Sequence, residues 1–286
     1  MGILLGLATA FGWGTSDFFA RFVTRRVGTL RSLFYMQTWG FLLLTVYLIF
    51  SHSWGHLFDG SGWRPWAWGF LAGACNTVGM FSFYRCLEVG KVAIVAPLSA
   101  SYPVLTLFLS MFFGERLSFL RFCGVGAVLF GVILVAREET VAEEPAKTGK
   151  SGVAWALIAS AFFGLLFWLL AVRIIEATGP YASLWLIRMT GSLVSLAVLF
   201  CKRMPVFQPL DSSSWQPPLM GVLDTGAFAL SNRGMQIEQT SVITVLSSLY
   251  GAVTVLLAAI FLRERVGALQ WCGIVAIFAG IILIGR

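Results

Sequence analysis

The chain has 286 residues, 58% of them hydrophobic and only 12% charged, with a net charge of +7 and a mean hydropathy of +0.85. So few charges exclude a water-soluble globular domain of this length, and the composition is that of an integral membrane protein. The positive balance points to membrane orientation and no nucleic acid, because juxtamembrane Lys and Arg are what set topology.

A spanning helix needs about 20 apolar residues. Such runs are predicted at residues 2–22, 30–50, 65–86, 92–113, 118–136, 151–172, 180–201, 215–233, 241–262 and 267–285, ten in all. The eighth is the most polar, holding Pro217, Pro218 and Asp224. These runs are too long and too evenly apolar for the alternating strands of a membrane barrel. The predicted fold class is therefore all-α integral membrane, with ten transmembrane helices. The first run has no basic leading segment and contains Trp13 and Asp17, so it reads as a retained helix and not a signal peptide. Cys75, Cys86, Cys123, Cys201 and Cys272 show no metal-ligand spacing, and neither a metal nor a cofactor is expected.

Loop charges bear on orientation. The odd-numbered loops hold Arg21, Arg25, Arg26, Arg31, Arg85, Lys91, Arg137, Lys147, Lys150, Lys202, Arg203, Arg263 and Arg265, thirteen in all. The even-numbered loops and the C-terminus hold six: Arg64, Arg116, Arg121, Arg173, Arg233 and Arg286. By the positive-inside rule both termini lie outside.

The chain repeats itself. "LSASYPVLT" at 98–106 returns as "LSSLYGAVT" at 246–254, pairing Ser99, Tyr102 and Thr106 with Ser247, Tyr250 and Thr254 at an offset of 148 residues. At the same offset Gly73, Thr77 and Arg85 match Gly221, Thr225 and Arg233, and Asn76 faces Asp224. After a one-residue slip, Glu115, Arg116, Cys123, Gly124 and Gly131 match Glu264, Arg265, Cys272, Gly273 and Gly280. The expected domains are a five-helix repeat over 1–137, a polar linker over 138–150 and a second repeat over 151–286. Five crossings per half make the repeats inverted, and inverted halves are the recurring build of secondary transporters, with the solute near the midplane between them. Each Ser/Tyr/Thr set has spacings of three and four, which puts it on one helix face.

Ten helices as five plus five, "FGWGTSDFFARF" in the first helix, and the "GERL" and "RERV" turns before glycine-spaced last helices resemble the EamA-type members of the drug/metabolite transporter superfamily. The resemblance implies a central cavity lined by the first, third, fourth, sixth, eighth and ninth helices, cytoplasmic termini, and export of amino acids, other small metabolites or drugs. Orientation thus stays open between the charge count and the resemblance.

Ionisable groups deep in a bilayer need a reason, because each costs at least about 2.5 kcal/mol to insert. Asp224 and its partner Asn76 fall near mid-span, Arg188 is deep in the seventh helix, and Asp17 is shallower in the first. Asp224 reads either as a proton-accepting or solute-binding carboxylate or as a structural partner of Arg188. Asp17 beside Trp13 suits a cationic group, or is an acid buffered by Arg21. Arg188 reads as carboxylate recognition or as charge balance. The candidate solute-binding residues are Trp13, Asp17, Asn76, Ser99, Tyr102, Trp168, Arg188, Asp224, Ser247 and Tyr250, with Asp224 and Asp17 as candidates for proton coupling.

An enzyme is not expected: no H-E-x-x-H is present, and both histidines, His52 and His56, sit in the second loop. The leading expectation is a multi-pass cell-membrane carrier that exports amino-acid-like or amine solutes by alternating access, driven by a gradient, with protons as one candidate. The alternatives are an uptake carrier for a neutral sugar or nucleoside, and a non-transporting subunit or sensor. Monomer and homodimer both fit.

Overall fold

The structure is a computed structural model that describes residues 1–112, 118–136, 149–207, 213–237, 243, 246–262 and 267–284. All regular structure among them is helical. In chain order the helices are α1 Gly2–Val27, α2 Thr29–Ser51, α3 Arg64–Val89, α4 Val92–Ser99, α5 Pro103–Phe112 and α6 Phe119–Ala136. Then come α7 Gly149–Leu169, continued by a π-helical turn Leu170–Ile174 into α8 Ile175–Thr178, α9 Pro180–Cys201, α10 Gln216–Ile237, α11 Tyr250–Leu257 with a π-helical turn Ala258–Leu262, and α12 Ala268–Ile284. Of the expected linker, residues 138–148 lie outside the described residues, as do Glu115 and Glu264, while α7 already begins at Gly149.

Five stretches, Gly2–Val27, Thr29–Ser51, Val92–Leu109, Gly152–Thr178 and Pro180–Cys201, are long and apolar enough to cross a bilayer. α3 and α10 are also long, at 26 and 22 residues, but their apolar character is diluted by buried polar groups such as Asn76, Ser82, Asp224 and Asn232. The apolar stretches Phe122–Gly131, Leu246–Leu262 and Trp271–Leu283 are shorter. α2 shows how the helices meet lipid. Its inner face carries Ser32, Met36, Gln37, Gly40 and Leu44, and its outer face carries Leu42, Leu43, Val46, Ile49 and Phe50. Polar groups turn inward and apolar ones outward, the arrangement a hydrocarbon solvent requires.

The fourth expected span, 92–113, is not one helix. It ends at Ser99 and restarts at Pro103, with Ala100–Tyr102 in a turn. Pro103 has no N–H to donate and disfavours helical backbone at Tyr102. The turn is closed instead by Ala100 N–H to Ala96 O at 3.0 Å and Val104 N–H to Ser101 O at 3.1 Å. Such irregular backbone is tolerated at membrane depth only inside protein or beside a cavity, and Ser99, Ser101 and Tyr102 are all buried.

Helices from the two ends of the chain interleave. α1 packs on α10 and α11, α7 on α3 and α5, α2 on α9, and α6 on α12. The last pair meets through glycine: a methyl group at Gly131 would sit 2.5 Å from the Gly273 carbonyl, and one at Gly280 would sit 2.6 Å from the Gly124 carbonyl. Side chains there would force the helices apart. Two further glycines join helices with one residue each. Gly28 between α1 and α2 has φ of 84°, and Gly179 between α8 and α9 has φ of 91°, a region other residues rarely adopt.

Candidate solute site

The cavity at the centre of the helices is lined by side chains of α1, α3, α7, α10, the Ala100–Tyr102 turn and α11. These are the first, third, sixth, eighth, fourth and ninth of the expected spans. Ten of the lining residues occupy matching sequence positions: Trp13 with Phe163, Asp17 with Phe167, Asn76 with Asp224, Met80 with Phe228, and Tyr102 with Tyr250. Phe83 and Leu166 complete the lining, and the space between the side chains, including its open mouth, is about 440 Å³.

α1 is held against α10 by Thr9 Oγ1 donating to Ala227 O at 3.2 Å, Ser16 Oγ to Met220 O at 3.1 Å and Trp13 Nε1 to the backbone oxygen of Asp224 at 3.2 Å. This fixes the indole of Trp13. Its ring meets Phe167, Phe228 and Tyr250 edge-on, with centroids 5.8, 5.7 and 6.0 Å away. Tyr102 stacks on Phe167 at 4.9 Å. Edge-to-face and offset contacts of this kind favour a fixed ring arrangement.

Matching positions also hold the walls. Thr106 Oγ1 donates to Gly164 O at 3.0 Å, joining α5 to α7, and Thr254 Oγ1 donates to Gly14 O at 3.3 Å, joining α11 to α1. A methyl at Gly14 would lie 2.9 Å from Tyr250 O, and one at Gly164 would lie 2.8 Å from Tyr102 O. The backbones of these helix pairs touch.

Six of the ten residues expected at the site line the cavity: Trp13, Asp17, Asn76, Tyr102, Asp224 and Tyr250. Ser99 and Ser247 lie behind it. Ser99 Oγ is 3.2 Å from the Tyr250 hydroxyl, and Ser247 hydrogen-bonds the Tyr102 hydroxyl. Trp168 is half-buried next to Phe167, outside the lining. Arg188 is fully buried but turned away. Its Nη2 pairs with Asp224 Oδ2, and its Nη1 donates to Gln37 Oε1 and Met36 Sδ, each at 3.0 Å. Arg188 is thus paired with Asp224 and is not among the residues that line the cavity.

Asp17 is 4% exposed and receives no hydrogen bond or ion pair from the described residues. The guanidinium of Arg21, one turn on, donates to the carbonyls of Leu87 and Gly90 at the end of α3. Asn76 Nδ2 is buried without a partner among the described residues. Orphaned polar groups of this kind call for an explanation.

Met80, Phe83, Phe163, Leu166, Phe167 and Phe228 carry no polar signal in the sequence. The signal that marks four of them is repeat position. Gly14 and Gly164 are equivalent, which matches Phe163 to Trp13 and Phe167 to Asp17, just as Met80 matches Phe228 at the 148-residue offset.

The family model of the EamA-like transporter family matches residues 1–137 and again residues 150–286. The chain belongs to the EamA-like transporter family. It is similar to an uncharacterised transporter, YxxF, of Bacillus subtilis (strain 168), with 27% identity over 216 residues covering 73% of this chain and 68% of that one. It is also similar to an uncharacterised protein of Methanocaldococcus jannaschii, with 25% identity over 146 residues covering 47% of this chain and 95% of that shorter one. A solved crystal structure superposes with a TM-score of 0.69 over 99% of this chain and 95% of that chain at 16% identity, a likeness of fold alone. As an EamA-like transporter, this protein is a multi-pass membrane transporter of small solutes rather than an enzyme.

Proposed function

We propose that this EamA-like transporter has ten membrane spans, arranged as inverted five-helix repeats over residues 1–137 and 151–286 with a polar linker at 138–150, and that it works by alternating access. The observation that carries the proposal is the cavity wall, to which Trp13, Asp17, Asn76, Met80 and Tyr102 and the residues at the matching positions Phe163, Phe167, Asp224, Phe228 and Tyr250 all contribute. A solute held there touches both halves at once, so rocking one half against the other exchanges the face to which the site opens. The family model's two successive matches and the half-length Methanocaldococcus relative support the repeat.

The proposed cargo is a small amine or amino-acid-like solute, and the proposed direction is export from the cell, on the resemblance to exporters of such solutes. Transport is driven by a gradient, since the sequence contains no nucleotide-binding motif. Protons are the proposed coupling ion, with Asp17 the leading carrier, because Asp224 is already engaged by Arg188. The same unpaired acid disfavours a neutral sugar or nucleoside as cargo.

The test is accessibility of the site from each side. All five native cysteines are free, so they are first replaced, Asn76→Cys is introduced, and oriented vesicles are treated with a membrane-impermeant maleimide. Alternating access gives labelling from either face, with protection by a bound solute. Labelling confined to one face overturns the proposal.

A further inference from the structure

Resting on the carrier reading above, we infer that the cavity selects organic ammonium ions that lack a carboxylate, with an aromatic or apolar body, over amino acids and neutral solutes.

The charges decide this. Three ionisable groups are buried at or behind the wall: Asp17, Asp224 and Arg188. Asp224 and Arg188 form an ion pair, which leaves Asp17 as the lining carboxyl without an ionic partner among the described residues. Arg21, one turn beyond Asp17, keeps its charge but lies outside the cavity lining and donates to the carbonyls of Leu87 and Gly90. No cationic side chain is among the residues that line the cavity, so its lining offers a carboxyl to an entering solute and no positive group. An ammonium group is the compensation a buried carboxylate lacks.

A zwitterion fails on the other side of the inventory. Arg188 contributes nothing to the lining, because its guanidinium points to Gln37, Met36 and Asp224. The carboxylate of an amino acid would lie among Trp13, Phe83, Phe167 and Phe228 with no cation to meet it. Burying a charge without a partner is the costlier alternative. A neutral polyol fares no better, since the hydroxyls of Tyr102 and Tyr250 are already bonded to Ser247 and Ser99 and leave Asn76 as the free amide. The aromatic wall suits the inferred ligand, because ring faces attract cations.

The experiment measures equilibrium binding to the purified full-length protein of four compounds with one phenyl body: phenethylamine, L-phenylalanine, 3-phenylpropionate and 2-phenylethanol. Phenethylamine is expected to bind at least about tenfold more tightly than the other three. Asp17→Asn should weaken it by at least about thirtyfold, the effect of removing one member of a buried charge pair, while Asp17→Glu retains binding. The comparison of the four compounds needs no variant, so it stands even where Asp17→Asn does not fold. Equal or tighter binding of L-phenylalanine or 2-phenylethanol, no binding of phenethylamine, or undiminished binding to a folded Asp17→Asn protein each overturns the inference. Phenethylamine binding without flux in vesicles would overturn the carrier reading alone. Saturable flux of L-phenylalanine exceeding that of phenethylamine would keep the carrier and overturn the charge selection.

Discussion

The Ser99 hydroxyl lies 3.2 Å from the hydroxyl of Tyr250, a residue 151 positions away on the other half of the chain, and Tyr102 and Ser247 repeat the contact in reverse. The duplicated polar sequence therefore forms a crossed pair, each serine holding the tyrosine of the opposite repeat at the cavity wall. Coupling is expected across the halves. Tyr102→Phe and Ser247→Ala should each cost about 1 kcal/mol, and the double variant about the same as either one. Tyr102→Phe with Ser99→Ala should be additive. Thermal midpoints of the wild type, the three single variants and the two double variants check this, and coupling within one helix in place of across the halves would contradict it.

The Arg188–Asp224 pair should show the signature of buried ions. Arg188→Met or Asp224→Asn alone leaves a buried charge without its partner, at an expected cost of about 3–5 kcal/mol. The double variant removes both charges and should be more stable than either single variant. Denaturant titration in detergent distinguishes this from additive loss.

The α6–α12 seam depends on absent side chains. Gly131→Val and Gly280→Val should each destabilise by about 1–3 kcal/mol, since the added atoms meet the backbone of the facing helix. Gly126→Ala, with nothing within 4 Å of the new methyl, should be neutral or stabilising by up to about 1 kcal/mol. Thermal midpoints that fall equally at all three positions would contradict the packing.

In the loop after α2, hydrogen bonds from the Ser61 side chain, from His56 and from the Ser61 amide hold the Asp59 carboxyl down from its ordinary 3.8 to about 2. A depressed carboxylate stabilises its surroundings above the ordinary value, and that contribution is lost as pH falls through the depressed one. The loop should keep these bonds at pH 4 and lose them toward pH 2, while Ser61→Ala should move the Asp59 titration up toward 3.8. Carboxyl titration of isotope-labelled protein reads both.

Much of the fold was legible because lipid imposes simple rules: long apolar runs, inward polar groups and a repeated motif. The apolar run alone goes straight through the turn that splits the fourth span, where the next helix starts at Pro103. The site was legible only through its polar members. Phe163 and Phe167 look like any lipid-facing phenylalanine until the equivalence of Gly14 and Gly164 places them. Gln37 is likewise the twin of Arg188, but the offset there is 151 residues, so the match is hidden from a single alignment at 148. Sequence gives the depth of Asp17 and Arg188, not their direction. That one faces the cavity and the other turns from it follows from packing.

The most direct test is flux of phenethylamine in vesicles containing the full-length protein, compared with vesicles containing Asp17→Asn. Flux that saturates with concentration and is lost in Asp17→Asn is the expected result. Saturable flux that is the same in both proteins would place the solute elsewhere and contradict the site.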